Sequence, residues 1–64
     1  MAKKNYTITY RLQWSNERET LQTTLYSMKS VKEYLNMILG YSNLIWCDVT
    51  YGNRIIRHYG EYDF

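Results

Sequence analysis

A single cysteine, Cys47, in 64 residues excludes an intramolecular disulfide. It also excludes a cysteine-rich zinc site, which needs about four Cys or His ligands, because His58 is the only histidine. There is no proline, and the glycines are isolated at 40, 52 and 60, so no glycine-rich phosphate loop exists. No stretch approaches the ~20 apolar residues of a membrane helix. Lys3 and Lys4 are not followed by an apolar segment, so no signal peptide is expected. These absences lead to the expectation of a cytoplasmic protein with a reduced thiol and no cofactor. An excess of one charge is missing too: eight Lys and Arg against six Asp and Glu leave +2. That is too mild to argue for nucleic acid, and it excludes an acidic mimic of DNA.

What is abundant is aromatic residues, 17% of the chain, with eight Tyr and two Trp. A domain this small buries only about 60% of its unfolded surface. With no disulfide or metal, dense packing or self-association must supply its stability. Residues 1–64 are expected to form one domain, with a homo-oligomer a reasonable state.

Residues 6–14 alternate, with Tyr6, Ile8, Tyr10, Leu12 and Trp14 on one side and Thr7, Thr9, Arg11 and Gln13 on the other. A period of two in Tyr, Thr and Ile marks a strand with one buried face. After Ser15-Asn16, a second strand alternates through Glu19, Leu21, Thr23 and Leu25. Pairing Leu12 with Leu21 across a four-residue loop keeps the apolar sets together. A two-residue loop at Ser15-Asn16 does so equally well, so the register stays open.

The period then changes. Ser30 and Glu33 have capping-box spacing, and Val31, Tyr34, Leu35, Ile38 and Leu39 form one helical stripe. Gly40 is expected to end the helix in a left-handed conformation. A third strand runs from Leu44 to Tyr51, Gly52-Asn53 forms a tight turn, and a fourth strand runs from Arg54 to about Tyr59. The fold class is therefore α+β: ββαββ, an antiparallel sheet of two hairpins with one helix packed on one face. Whether the sheet is continuous, and its strand order, do not follow from these patterns.

An unbroken second hairpin pairs Val49 with Ile56, Cys47 with His58, Asp48 with Arg57 and Trp46 with Tyr59. Cys47 beside His58 invites a nucleophile–base reading. Both would lie on the helix-facing side with no cleft and no third orienting residue, so Cys47 reads as a small buried hydrophobe. No carboxylates are placed to share a pocket, and no catalytic or metal residues are assigned. The chain is expected not to be an enzyme.

The opposite face of that hairpin would carry Trp46, Ile55, Arg57 and Tyr59, with Asp48 paired to Arg57. Trp, Tyr and Arg dominate binding hot spots, so these four are the candidate partner-binding residues. The competing expectation is that the first hairpin, the tail Gly60–Phe64 or a second copy covers them. Nucleic acid is the second choice of partner: aromatics on a sheet can stack bases, with Lys3, Lys4, Arg11, Arg18, Arg54 and Arg57 to contact phosphates.

The opening YTITYRLQW strand, the SVKEYLNMILGY helix and the closing IWCDVTYGNRIIRHYGEYDF hairpin together resemble very small ββαββ proteins of phage and mobile-element genomes. The likeness spans nearly the whole chain and is one of architecture and composition, so no functional residue carries over. It implies a stoichiometric inhibitor of a bacterial defence or host protein, of the anti-CRISPR kind.

Overall fold

A computed structural model of the chain describes residues 5–63; Lys3, Lys4 and Phe64 lie outside the described residues. Strands β1 (Tyr6–Trp14) and β2 (Glu17–Leu25) precede helix α1 (Met28–Ile38), and β3 (Leu44–Tyr51) and β4 (Arg54–Gly60) follow it. All four strands form one antiparallel sheet in the order β2-β1-β3-β4. The two hairpins therefore join through their first strands. This order follows from composition: β1 and β3 hold most of the buried residues, whereas β2 and β4 are mostly exposed and take the edges.

The open question of the first hairpin resolves to the two-residue loop. Trp14 pairs with Glu17, Tyr10 with Leu21 and Tyr6 with Leu25. Ser15 takes a positive φ of 32° to make that turn.

The helix starts one turn earlier than Ser30. Ser27 is the N-cap, its hydroxyl oxygen accepting from the Ser30 backbone N–H at 3.2 Å. Because β2 ends at Leu25, an earlier start pairs the backbone at once and places Met28 and Lys29, both good helix formers, inside the helix. Gly40 is not left-handed. Instead, the Gly40 and Tyr41 amides donate to the carbonyls of Met37 and Ile38, tightening the last turn and satisfying its carbonyls.

One face of the sheet and the helix stripe enclose the core. Tyr6, Ile8, Tyr10 and Leu12 from β1 and Cys47 and Val49 from β3 pack with Val31, Leu35 and Ile38. Burial holds the Cys47 thiol up at about 11, so it stays protonated and apolar in character.

The second hairpin departs from the unbroken register. Tyr51 pairs with Arg54 and Thr50 with Ile55, but then Val49 pairs with Arg57, Asp48 with His58, Cys47 with Tyr59 and Trp46 with Gly60. Ile56 is the extra residue of a β-bulge. The reason is apolar burial. Ile56 and Tyr59 are three apart, so strict alternation sends them to opposite faces; the bulge lets both pack against the core. The expected pairs Cys47–His58, Asp48–Arg57 and Trp46–Tyr59 are thereby replaced.

Candidate binding face

The face of the sheet away from the helix gathers side chains from every strand. Thr9 lies between Gln22 and Asp48, and Asp48 lies beside His58; Arg11 lies between Thr20 and Trp46, and Trp46 lies beside Gly60. The chain does not leave this face open. Gly60, with φ +79°, turns it back, and residues 61–63, in neither strand nor helix, run across the sheet as a strap.

Two consecutive strap residues meet the face. The Tyr62 ring sits edge-on to Trp46 with centroids 5.1 Å apart, and lies 4.5 Å from the His58 ring. Its hydroxyl donates to Asp48 Oδ2 at 2.6 Å, while His58 Nδ1 bonds Asp48 Oδ1. Asp63 receives three donors: Trp46 Nε1 at 3.0 Å on Oδ1, and Arg11 Nε at 2.8 Å and Arg18 Nη1 at 3.2 Å on Oδ2. Arg11 is itself braced, donating to Thr20 Oγ1 at 2.6 Å. Asp48 is buried, and both of its carboxylate oxygens are engaged.

The electrostatics follow from these bonds. The hydrogen bond from Arg11, then that from Trp46, holds the Asp63 carboxyl below the usual carboxylate range. The bond to Asp48 holds His58 above an ordinary histidine, and Asp48 likewise raises the Tyr62 phenol. A lowered Asp63 stabilises the docked strap above ~3.9, and this is lost as pH falls through its folded value. A raised His58 contributes fully below ~6.5 and loses its effect as pH rises through its folded value. Of these two groups only Asp63 belongs to the strap, so the strap is expected to loosen as pH falls below about 4. The His58–Asp48 pair, both of whose residues lie in the sheet, supports the β3–β4 pairing below ~6.5. The Trp46 indole N–H resonance, followed from pH 6 down to pH 2, should shift toward its solvent-exposed value as Asp63 is protonated; a flat profile would uncouple the Asp63 charge from strap docking.

The four residues expected to form one partner-binding patch are dispersed. Trp46 is only 7% exposed, covered by Tyr62 and Asp63. Tyr59 is half-buried on the helix side against the core, carried there by the bulge. Ile55 and Arg57 remain on the exposed surface of β4. Of the three expected covers for this face, the tail lies over Trp46. Cys47 and His58 fall on opposite faces: Cys47 is in the core, His58 against Tyr62. The Arg11, Arg18, Asp48, His58, Tyr62 and Asp63 constellation joins residues far apart in sequence, and only Arg11, opposite the apolar set of β1, is signalled by a local pattern.

No protein-family model matches the chain, and neither a curated protein nor a solved structure matches it. No helix is long and apolar enough to cross a membrane, among the described residues.

Proposed function

We propose that this chain is a non-catalytic binding module that acts by stoichiometric association with a host or bacterial-defence protein, engaging it through the β4 edge. The observation carrying this reading is Ile55, 54% exposed on an edge strand between exposed Arg54 and Arg57. Neither arginine makes an ion pair among the described residues. Among the described residues the outer edge of β4 has no neighbouring strand, which leaves an edge for an added strand.

The other edge is a poorer candidate. Along β2 the exposed positions are Glu17, Arg18, Glu19, Thr20, Gln22 and Thr24, while Leu21 and Leu25 turn inward. Mixed charge and no exposed apolar anchor suit solvent better than a partner. The β4 edge suits an extended segment bearing an apolar side chain and carboxylates. A second copy could also pair there, giving the homodimer that a small domain favours. The resemblance to phage-type inhibitors agrees with this mode of action.

The second reading, nucleic-acid binding, is favoured by Arg11, Arg18 and Trp46 sharing one face of the sheet, though Asp63 occupies all three. The test is affinity capture from a bacterial lysate with the wild type and with Ile55→Asp and Arg57→Glu. A stoichiometric protein partner retained by wild type and lost by at least tenfold in each variant, with unchanged melting temperature, is expected. Equal capture by all three would reject β4 as the surface. Oligonucleotide binding that falls steeply with salt, without a protein partner, would favour the second reading.

A further inference from the structure

We infer that the outer sheet face is a receptor site for an aromatic–acidic peptide segment of a partner protein, held closed in cis by the chain's own Tyr62 and Asp63. The site is on the opposite side of the sheet from the core and uses none of the β4 residues proposed above, so the two readings fail independently.

The ligand chemistry is written in what the strap satisfies. Arg11 and Arg18, from neighbouring strands, converge on one carboxylate oxygen while the Trp46 indole N–H takes the other. Next to this anion site, Trp46 and His58 form an aromatic notch, and Asp48 at its floor accepts a hydrogen bond from the inserted ring's hydroxyl. A carboxylate one residue beyond a phenol fulfils every element. The arrangement discriminates, because an occupant lacking the hydroxyl leaves one oxygen of buried Asp48 short of that donor. An occupant lacking the carboxylate leaves Arg11 and Arg18 facing each other across an empty anion site.

The strap is built to exchange. It is joined to the sheet through Gly60, and residues 61–63 belong to no strand or helix. Its rim is open to solvent, with the Arg18 side chain 47% exposed and Tyr62 42%, while Asp63 at its centre is 13% exposed over buried Trp46. Its hydrogen bonds to Arg11, Arg18, Trp46 and Asp48 are all made with outer-face side chains and none is a rung of the strand ladder. A ligand in trans competes with an intramolecular one of high effective concentration, so the wild-type chain binds such peptides weakly until the strap is weakened.

A nucleotide offers a ring and an anion too. The peptide is favoured because the chemistry seen in place is a carboxylate and a phenol, and because buried Asp48 opposes the close approach of a polyanion.

The test uses the full chain with Tyr62→Ala and Asp63→Ala together, and the milder Asp63→Asn in case the double variant is unfolded by circular dichroism. The probe is a synthetic Gly-Glu-Tyr-Asp-Phe peptide, read by shifts of the Trp46 indole N–H. Binding at least tenfold tighter to the strap variants than to wild type is expected. A probe with its Asp replaced by Asn should bind at least tenfold more weakly, and Arg11→Gln added to the variant should abolish binding. Equal affinity for wild type and variants, or indifference to the Asp, overturns the proposal. Salt-sensitive binding of a single-stranded oligonucleotide in place of the peptide also overturns it and assigns the face to nucleic acid.

Discussion

Gly60→Val is expected to destabilise the domain by about 3–5 kcal/mol, the largest effect of any single glycine substitution in the chain. Two costs add at this position. Its φ of +79° is a region that a β-branched residue enters only with strain. A Cβ there would overlap the Ile45 carbonyl oxygen and approach Trp46 Cα to 3.0 Å, and both are backbone atoms that cannot swing aside. A domain of this size has a total stability of roughly 3–10 kcal/mol. The expected fall in melting temperature is at least about 12 °C, since each kcal/mol corresponds to roughly 4–8 °C here. Gly52→Ala is the control, with φ +64° and nothing within 4 Å of the added Cβ. It should cost only the turn strain, about 1–2 kcal/mol. Thermal melts of the two variants side by side separate backbone conformation from steric overlap. If Gly60→Val melts within 2 °C of wild type, roughly half a kcal/mol, the Gly60 reversal does not hold the structure together.

The contrast between these glycines shows what the sequence makes readable. Gly52 announces itself through the Gly-Asn turn between two apolar strands, and the hairpin forms where expected. The inward set Tyr6, Ile8, Tyr10 and Leu12 of β1 is equally readable from period-two alternation, although Trp14 at its end is exposed. Strand β3 is less so, because Leu44-Ile45-Trp46-Cys47 is an unbroken apolar run and the pairing with β1 shifts register at Ile45. Of the expected helix stripe, Val31, Leu35 and Ile38 are buried and Tyr34 packs against them, whereas Leu39 lies past the last turn and is exposed. The cap shifts to Ser27, because two serines three apart offer equivalent local caps and tertiary context selects one. The bulge at Ile56 is the decisive omission. A uniform register looked sufficient because it matched Val49 with Ile56, but it left Tyr59 on the outer face and His58 on the core face. The three-residue spacing of Ile56 and Tyr59 was a local signal for the extra residue. The strap was hidden for another reason. Its contacts are 45 and 52 residues apart along the chain for Arg18 and Arg11, and no local pattern encodes them. Only the complementarity of an acidic, aromatic tail and an Arg-bearing strand face pointed that way, and Gly60 after β4 marked where the chain could reverse.

Trp46→Ala should cost about 3–5 kcal/mol, and it should do so whether or not any partner is present. As a partner-binding residue on an uncovered face, Trp46 would be an anchor whose truncation abolishes binding and leaves the fold intact. In the structure it is buried at the centre of the outer face, paired across the sheet with Arg11 and Gly60, and overlaid by Tyr62. Removing the indole takes away the surface on which the strap rests and one of the donors to Asp63. A lost binding signal in this variant would therefore measure unfolding as much as contact. Arg57→Ala and Ile55→Ala, both at exposed positions of β4, should stay within about 0.5 kcal/mol of wild type. The deciding comparison is urea denaturation of all three variants, supplemented by Trp46→Phe. The phenylalanine keeps the apolar ring under Tyr62 but offers Asp63 no N–H, so its midpoint should fall between those of wild type and Trp46→Ala. If Trp46→Ala instead melts with Arg57→Ala, Trp46 is not a keystone of this face, and the strap does not depend on it. Should the expected order hold, binding assays can assign β4 loss to contact and outer-face loss to the strap, and the two surfaces can be tested apart.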